Sequence, residues 1–485
     1  MDLVAGFGLI GVTVIVSGLV AGLVDRGPIS FPMIFLGLGL ALGASGLLDV
    51  DAHNPSLEVV AALTLSLVLF MDAFSLEGGR SKRDWLVPAL VLGPGTLLVI
   101  LVVAGAAMLL FDLPPVSAFI VGAVLASTDA VVLRDVVRDD RVPRPVRRVL
   151  SVEAGTNDII VLPLLLVLIA VASGAEGLSG PGDWGLFAFR LLVVGPVIGA
   201  AIGAVGAWLM ARADARYSVR REYQALFGVG LVLASFAAAV AAGGDGFLAA
   251  FFAGLSITAL DQTLCDCFLE FGDAAAEISM LLAFVLFGAL LAGELGSVPL
   301  AAGLALAAVV IFVARPLAIG AVLSIRPVAL SRSARAFISW FGPRGLNSLL
   351  FALLVVAGGV PDGERVLAIT GLVVLVSVVV HGASATPVSG WYGRRVSREV
   401  LVEERFGSAT DLFERPEGER DRMSVERLAE LMDGEDPPVV VDVRTRSQHD
   451  RDAVQIPGSV RVLPDSVPEW ASDQLKDQPY VLYCT

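Results

Sequence analysis

Apolar residues run in long, nearly unbroken blocks from Leu3 to about residue 390, each closed by a short polar or glycine-rich stretch. A helix rises about 1.5 Å per residue, so a block of about 20 residues matches the ~30 Å hydrocarbon core of a bilayer. The spacing predicts thirteen spans, over residues 4–24, 31–48, 57–76, 86–110, 114–136, 148–172, 184–211, 222–242, 245–260, 274–293, 298–323, 335–359 and 365–390. The second and ninth are short for a crossing, and the segment 260–273 is polar enough to be a loop. "LVAGFGLIGVTVIVSGLVAGLV" is too long for a signal-peptide core and reads as the first span.

The polar stretches alternate in charge. Arg80, Lys82 and Arg83 follow span three, and Arg138, Arg141, Arg144, Arg147 and Arg148 follow span five. Arg212, Arg216, Arg220 and Arg221 follow span seven, Arg326, Arg332 and Arg335 span eleven, and Arg394, Arg395 and Arg398 span thirteen. The intervening linkers, such as "DVDAHNPS" and "AGELGS", hold neither Lys nor Arg. Cytoplasmic loops are the ones rich in Lys and Arg, so the N-terminus is expected outside and the C-terminus inside, in a multi-pass protein of the cell inner membrane. A mean hydropathy of +0.80, with 56% hydrophobic and 17% charged residues, excludes an ordinary soluble domain. Cys265, Cys267 and Cys484 build neither a disulfide framework nor a recognisable metal site. Gly37, Gly39 and Gly43 in "FLGLGLALGASG" are expected to serve helix packing.

Against this background a few charges stand inside the spans: Asp72, Asp129, Glu153, Asp158 and Arg344. Placing an Asp or Arg at the centre of a bilayer helix costs about 2.5–3.5 kcal/mol even on the mildest scale, so such residues face a bundle interior or a watery cavity. Asp72 lies near a span end and is at most an accessory acid. Glu153 and Asp158, five apart, lie about 140° from each other around a helix, so one can pair structurally while the other handles cargo. Arg344 is the expected partner of Glu153. It stands in "WFGPRGLNSLL", where Gly342, Pro343 and Gly345 interrupt a span, and in "LASTDAVV" the hydroxyls of Ser127 and Thr128 accompany Asp129. Interrupted spans expose half-helix termini that bind ions near the midplane. Two of them, one in each half and each carrying charge, predict an inverted-repeat secondary transporter.

These segments, "GAVLASTDAVVL", "VEAGTNDIIVLPLLL", "GDGFLAAFFAGLSI", "VARPLAIG" and "WFGPRGLNSLL", resemble in order those of the cation/proton antiporter family of sodium/proton exchanger type, over nearly all of residues 1–390. The resemblance implies a polytopic all-α membrane protein with inverted repeats and crossed broken helices, working as a homodimer. It implies an ion site of Thr128, Asp129, Asn157 and Asp158, with Glu153 and Arg344 as an ion pair. Asn157, in place of a second aspartate, resembles the branch that exchanges one monovalent cation for one proton. Ala130 stands where the family commonly has proline, and Ala154 where many members have serine. The expected activity is exchange of Na+ for H+, with K+ or Li+ as alternative cargo and no cofactor or nucleic acid. A non-transporting membrane sensor on the same scaffold is the competing class, disfavoured because a pure scaffold has no need of charges within its spans.

After the antiporter-like domain, residues 1–395, composition changes. Residues 396–485 hold 20 acidic against 11 basic residues, beginning with a charged linker over 396–423. In 424–485, "MSVERLAELMDG" predicts a helix capped by Ser424, and "PPVVVDVR" and "QPYVLYC" predict buried strands of a small partial α/β cytoplasmic domain. This piece resembles the first half of a rhodanese domain, with Asp442 and Arg444 as fold residues and Cys484 at the position of the reactive cysteine. Gln455 replaces the histidine that often precedes "IPG", and only Thr485 follows Cys484. Without an electropositive loop to activate it, Cys484 is expected to be inert, and sulfurtransferase activity is not expected.

Overall fold

The computed structural model describes residues 3–24, 29–74, 86–174, 180–260, 262–324, 330–399, 401, 423, 425–432, 434, 437–451, 454–472, 474 and 478–483. Its first half runs through α1 (Leu3–Val24), α2 (Phe31–Ala44), α3 (Pro55–Phe74), α4 (Leu86–Leu90), α5 (Thr96–Phe111), α6 (Pro115–Val124), α7 (Ala130–Val137), α8 (Arg144–Ala172), α9 (Pro181–Phe189) and α10 (Gly195–Tyr217). The second half continues with α11 (Arg221–Ala241), α12 (Gly246–Leu260), α13 (Gln262–Glu294), α14 (Leu300–Ala308), α15 (Arg315–Leu323), α16 (Arg332–Trp340), α17 (Leu346–Ala357) and α18 (Gly363–Val396). Among the described residues, eight helical stretches are long and apolar enough to cross a membrane.

Three junctions, α4–α5, α9–α10 and α14–α15, are wide π-type turns over Val91–Gly95, Arg190–Val194 and Val309–Ala314. Proline explains their placement. Pro94 lies inside the first, and Pro196 and Pro316 begin the helices that follow the other two. A proline supplies no N–H for the regular ladder, and a wider turn absorbs the mismatch without ending the helix. Two further junctions, α6–α7 and α16–α17, are open breaks. The order of wide-turned span, broken span and long helix therefore occurs twice, over α4–α8 and again over α14–α18, which is the internal repeat that the paired broken spans predict.

One segment differs from the hydropathy pattern. Residues 262–273, polar enough for a loop, belong to α13, which runs unbroken for 33 residues. Polarity there marks a change in the composition of the helix and not its end, because backbone hydrogen bonding does not need an apolar surface. Close packing by small residues holds at two of the three glycines singled out. A Cβ at Gly39 or Gly43 of α2 would overlap the carbonyls of Val285 or Ala289 on α13, whereas Gly37 faces open space. The largest buried apolar cluster joins both halves, through residues such as Phe35, Leu65, Val121, Leu162, Phe284 and Phe351.

The C-terminal unit comprises α19 (Val425–Met432), β1 (Val439–Asp442), α20 (Arg446–Arg451), β2 (Val460–Arg461), α21 (Val467–Ser472) and β3 (Tyr480–Tyr483). Its three strands are parallel in the order β2-β1-β3, with Val441 opposite Val460 and Leu482. The central β1 takes the most apolar run, "VVVD". Asp442 at its end is buried against Arg444 at 2.7 Å. Burial alone would raise the Asp442 carboxyl, but hydrogen bonds from Arg444 and Tyr483 and the charge of Arg461 bring it down to about 2. Ser424 and Cys484 lie outside the described residues. The unit rests on the end of the membrane part from which α8 starts: Asp465 accepts the Arg144 N–H at 2.8 Å, and Arg446 donates to the Asp140 carbonyl at 2.9 Å.

Candidate functional site

The two broken spans cross at their breaks. In residues 125–129 the chain leaves α6, and Asp129 stops it from running straight into α7 by acting as N-cap, its Oδ1 accepting the Val131 N–H at 2.7 Å. In residues 341–345, Pro343 removes a donor and biases Gly342 away from helix. The breaks then touch backbone to backbone, with the Asp129 N–H donating to the Pro343 carbonyl at 3.0 Å. Two glycines make this approach possible: a Cβ at Gly345 would stand 1.9 Å from Asp129 Oδ2, and one at Gly342 would stand 2.0 Å from Arg315 Nε.

A broken helix leaves N–H groups unpaired at one end and carbonyls at the other, with partial charges to match. Side chains meet them at every end of this crossing. Asp129 serves two starts at once, since its Oδ2 also accepts the Leu346 N–H of α17. Arg344 serves the end of α6, donating from Nη1 to the Ala126 and Ser127 carbonyls, each at 2.8 Å. Arg315 serves the end of α16, donating from Nη2 to the carbonyls of Ile338 at 3.2 Å and Phe341 at 2.6 Å. His381 on α18 places Nε2 3.2 Å from the Trp340 carbonyl and Nδ1 3.1 Å from Ser377 Oγ, which itself accepts the Arg344 N–H at 2.8 Å.

This arrangement corrects one expectation. Glu153 does not pair with Arg344; its carboxylate meets the guanidinium of Arg315 through two hydrogen bonds, that of Nη2 at 2.9 Å. Arg344 instead directs Nη1 to the carbonyls after α6, and its Nε and Nη2 have no hydrogen-bond partner among the described residues. The reason is geometric, for the break at Gly342 admits Arg315 alongside Glu153.

Asp158, one turn beyond Ala154 on α8, is held differently. Its Oδ1 accepts from Ser127 Oγ at 2.5 Å and its Oδ2 from Asn347 Nδ2 at 2.6 Å. Asn157 donates to the Ala126 carbonyl at 2.8 Å and to Thr128 Oγ1 at 3.3 Å, and accepts from Thr96 Oγ1 at 3.4 Å. All of these side chains are buried. The crossing therefore gathers Ser127, Thr128, Asp129, Asn157 and Asp158 into one cluster. Asp72 lies on the wall of a cavity of about 270 Å³ between α3, α7, α8 and α13, which is also lined by Asp129, Asn347, Arg134 and Arg138. Asn347 thus touches both the cavity and Asp158. The oxygens that could surround a small cation there are those of Asp158, Ser127, Thr128 and Asn347. Among the described residues no three His, Cys, Asp or Glu side chains converge as a chelating group.

Sequence reasoning missed Asn347, Arg315, Thr96, Ser377 and His381. Arg315 and Asn347 lie within quoted segments, "VARPLAIG" and "WFGPRGLNSLL", and Arg315 carried the same signal as Arg344, a charge inside an apolar span.

Comparison with known proteins agrees with this architecture. Residues 11–391 match the sodium/hydrogen exchanger transmembrane family, and the chain belongs to that family. It is 28% identical over 375 residues to the K(+)/H(+) antiporter NhaP of Alkalimonas amylolytica, covering 76% of this chain and 63% of that one. With the K(+)/H(+) antiporter NhaP2 of Shewanella sp. strain ANA-3 it shares 30% over 402 residues, covering 79% and 67%. The chain thus spans 63% and 64% of the length of the first two curated relatives it matches. Its fold is that of the sodium proton antiporter MjNhaP1 from Methanocaldococcus jannaschii, with a TM-score of 0.65 at 21% identity over 81% of this chain and 98% of the other.

Proposed function

We propose that the chain exchanges a monovalent cation, Na+ in the first instance, for H+ across a cell membrane, with Asp158 as the residue at which the two compete. One observation carries this reading. Of the three acids at the crossing, Glu153 is matched by a guanidinium and Asp129 by two backbone N–H groups, while Asp158 is held, among the described residues, by the neutral side chains of Ser127 and Asn347. A hydroxyl can turn its lone pairs, and an amide its oxygen, toward a cation; both can return to a carboxyl that has taken a proton. Asp129, Thr128 and Asn157 fix the frame around it.

Alternating access follows from the repeat: α4–α8 and α14–α18 move as one body against α1–α3 and α11–α13, with Asp158 neutralised by either cargo. Arginine-rich segments support a cytoplasmic C-terminus and an N-terminus outside. The names of the curated relatives favour K+ as the second reading. The family resemblance supports a homodimer, and the parallel sheet with its buried Asp442–Arg444 pair supports a rhodanese-like C-terminal unit. In proteoliposomes with a trapped pH dye, Na+, Li+ and K+ supplied separately should dequench it with different apparent affinities. Silence with all three cations would leave the sensor reading in place.

A further inference from the structure

The wall of the cavity carries a cation where one is least expected. Arg134 lies on α7 five residues beyond Asp129, about 7.5 Å along the helix axis, and lines the same cavity as Asp129. A cation travelling through the cavity toward Asp129 and Asn347 meets that positive charge. Across from it stands Glu277 on α13, with Oε2 3.3 Å from Arg134 Nη1. Both side chains are about one-third exposed, so the pair is only partly buried. The two residues also belong to different bodies: α7 carries half of the crossing, and α13 packs with α2 through Gly39 and Gly43.

We propose that Glu277 determines the affinity for the incoming cation by neutralising Arg134, so that of the two arginines on the cavity wall, Arg134 and Arg138, only Arg138 is left to oppose it. This rests on the exchange reading given above. A partly buried unit charge about 7–8 Å away, at an effective dielectric of about 20 and screened over about 8 Å, changes the local concentration of a monovalent cation by roughly three- to tenfold, and added salt weakens the effect.

Glu277→Gln, which strips Arg134 of its counter-charge, should therefore raise the KM for the cation about three- to tenfold with kcat nearly unchanged. Arg134→Gln should shift KM the opposite way. The double variant should return near the wild-type value, and Glu277→Asp, which keeps the charge, should also stay near it. High ionic strength should narrow the gap between Glu277→Gln and wild type. A mere clamp between the two bodies gives a different pattern, in which both single variants shift KM in the same direction and kcat changes with it. That pattern, or no shift in either single variant, overturns the proposal. Melting in detergent identifies a variant that fails to fold, and Glu277→Asp then carries the comparison against Arg134→Gln. Wild-type protein that exchanges no cation at all would instead overturn the exchange reading itself.

Discussion

Asp158→Asn should abolish exchange and leave a folded protein. The amide retains an oxygen for Ser127 Oγ, and Asn347 can reverse its own amide to face the new NH2 group, so packing survives. What disappears, on the exchange reading, is the carboxylate at which H+ and the cation compete. Initial rates in proteoliposomes, with melting in detergent as the folding control, decide it, and wild-type turnover would remove Asp158 from the mechanism. Asp129→Asn gives the informative contrast. Its two oxygens accept from two different backbone N–H groups, and an amide NH2 would set a donor against a donor at one of them, so stability should fall together with rate.

The second large effect is on stability. Glu153→Gln leaves the Arg315 guanidinium buried without its counter-charge, and losses from breaking buried pairs in soluble proteins run at about 3–5 kcal/mol. Arg315→Gln should cost more than Glu153→Gln, because the carbonyls of Ile338 and Phe341 lose their donor as well. The double variant should recover a good part of the Glu153→Gln loss, giving a coupling between the two sites in thermal melts. Strict additivity of the two single losses would mean that the pair does not interact in the membrane.

The spans were legible because a helix that crosses a bilayer must be apolar over a set length, and that requirement writes itself into nearly every residue. Asp129 and Asp158 were legible for the converse reason, since a charge in such a run carries a cost that demands a purpose; Thr128 and Asn157, which are neutral, were pointed to by the family resemblance. The partner of Glu153 was not. Arg315 and Arg344 carry the same signal, and their distances along the chain, 162 and 191 residues, say nothing about which one lies across from α8. Arg344 was favoured by the glycines and proline around it, but the break at Gly342 turned out to make room for Arg315. Asn347 had no signal of its own, because a neutral amide in a span is unremarkable until its carboxylate partner is known. The polar start of α13 misled in the other direction, since hydropathy reports the surroundings of a helix and not its hydrogen bonds.

The capping of the crossing has an electrical consequence. Asp129 and Arg344 bring one charge of each sign to the helix ends, and Glu153 and Arg315 bring another such pair. Those two pairs sum to zero before any cargo arrives, and on the exchange reading proposed above Asp158 is neutralised equally by H+ or by a monovalent cation. The travelling crossing then carries no net charge in either direction, and the membrane potential performs no work on it. A single uncompensated charge taken across the full field would feel about 2.3 kcal/mol per 100 mV. Exchange measured in liposomes clamped at zero and at about −100 mV should therefore run at the same rate, and a voltage-dependent rate would mean that one of these four capping charges is neutral in the membrane.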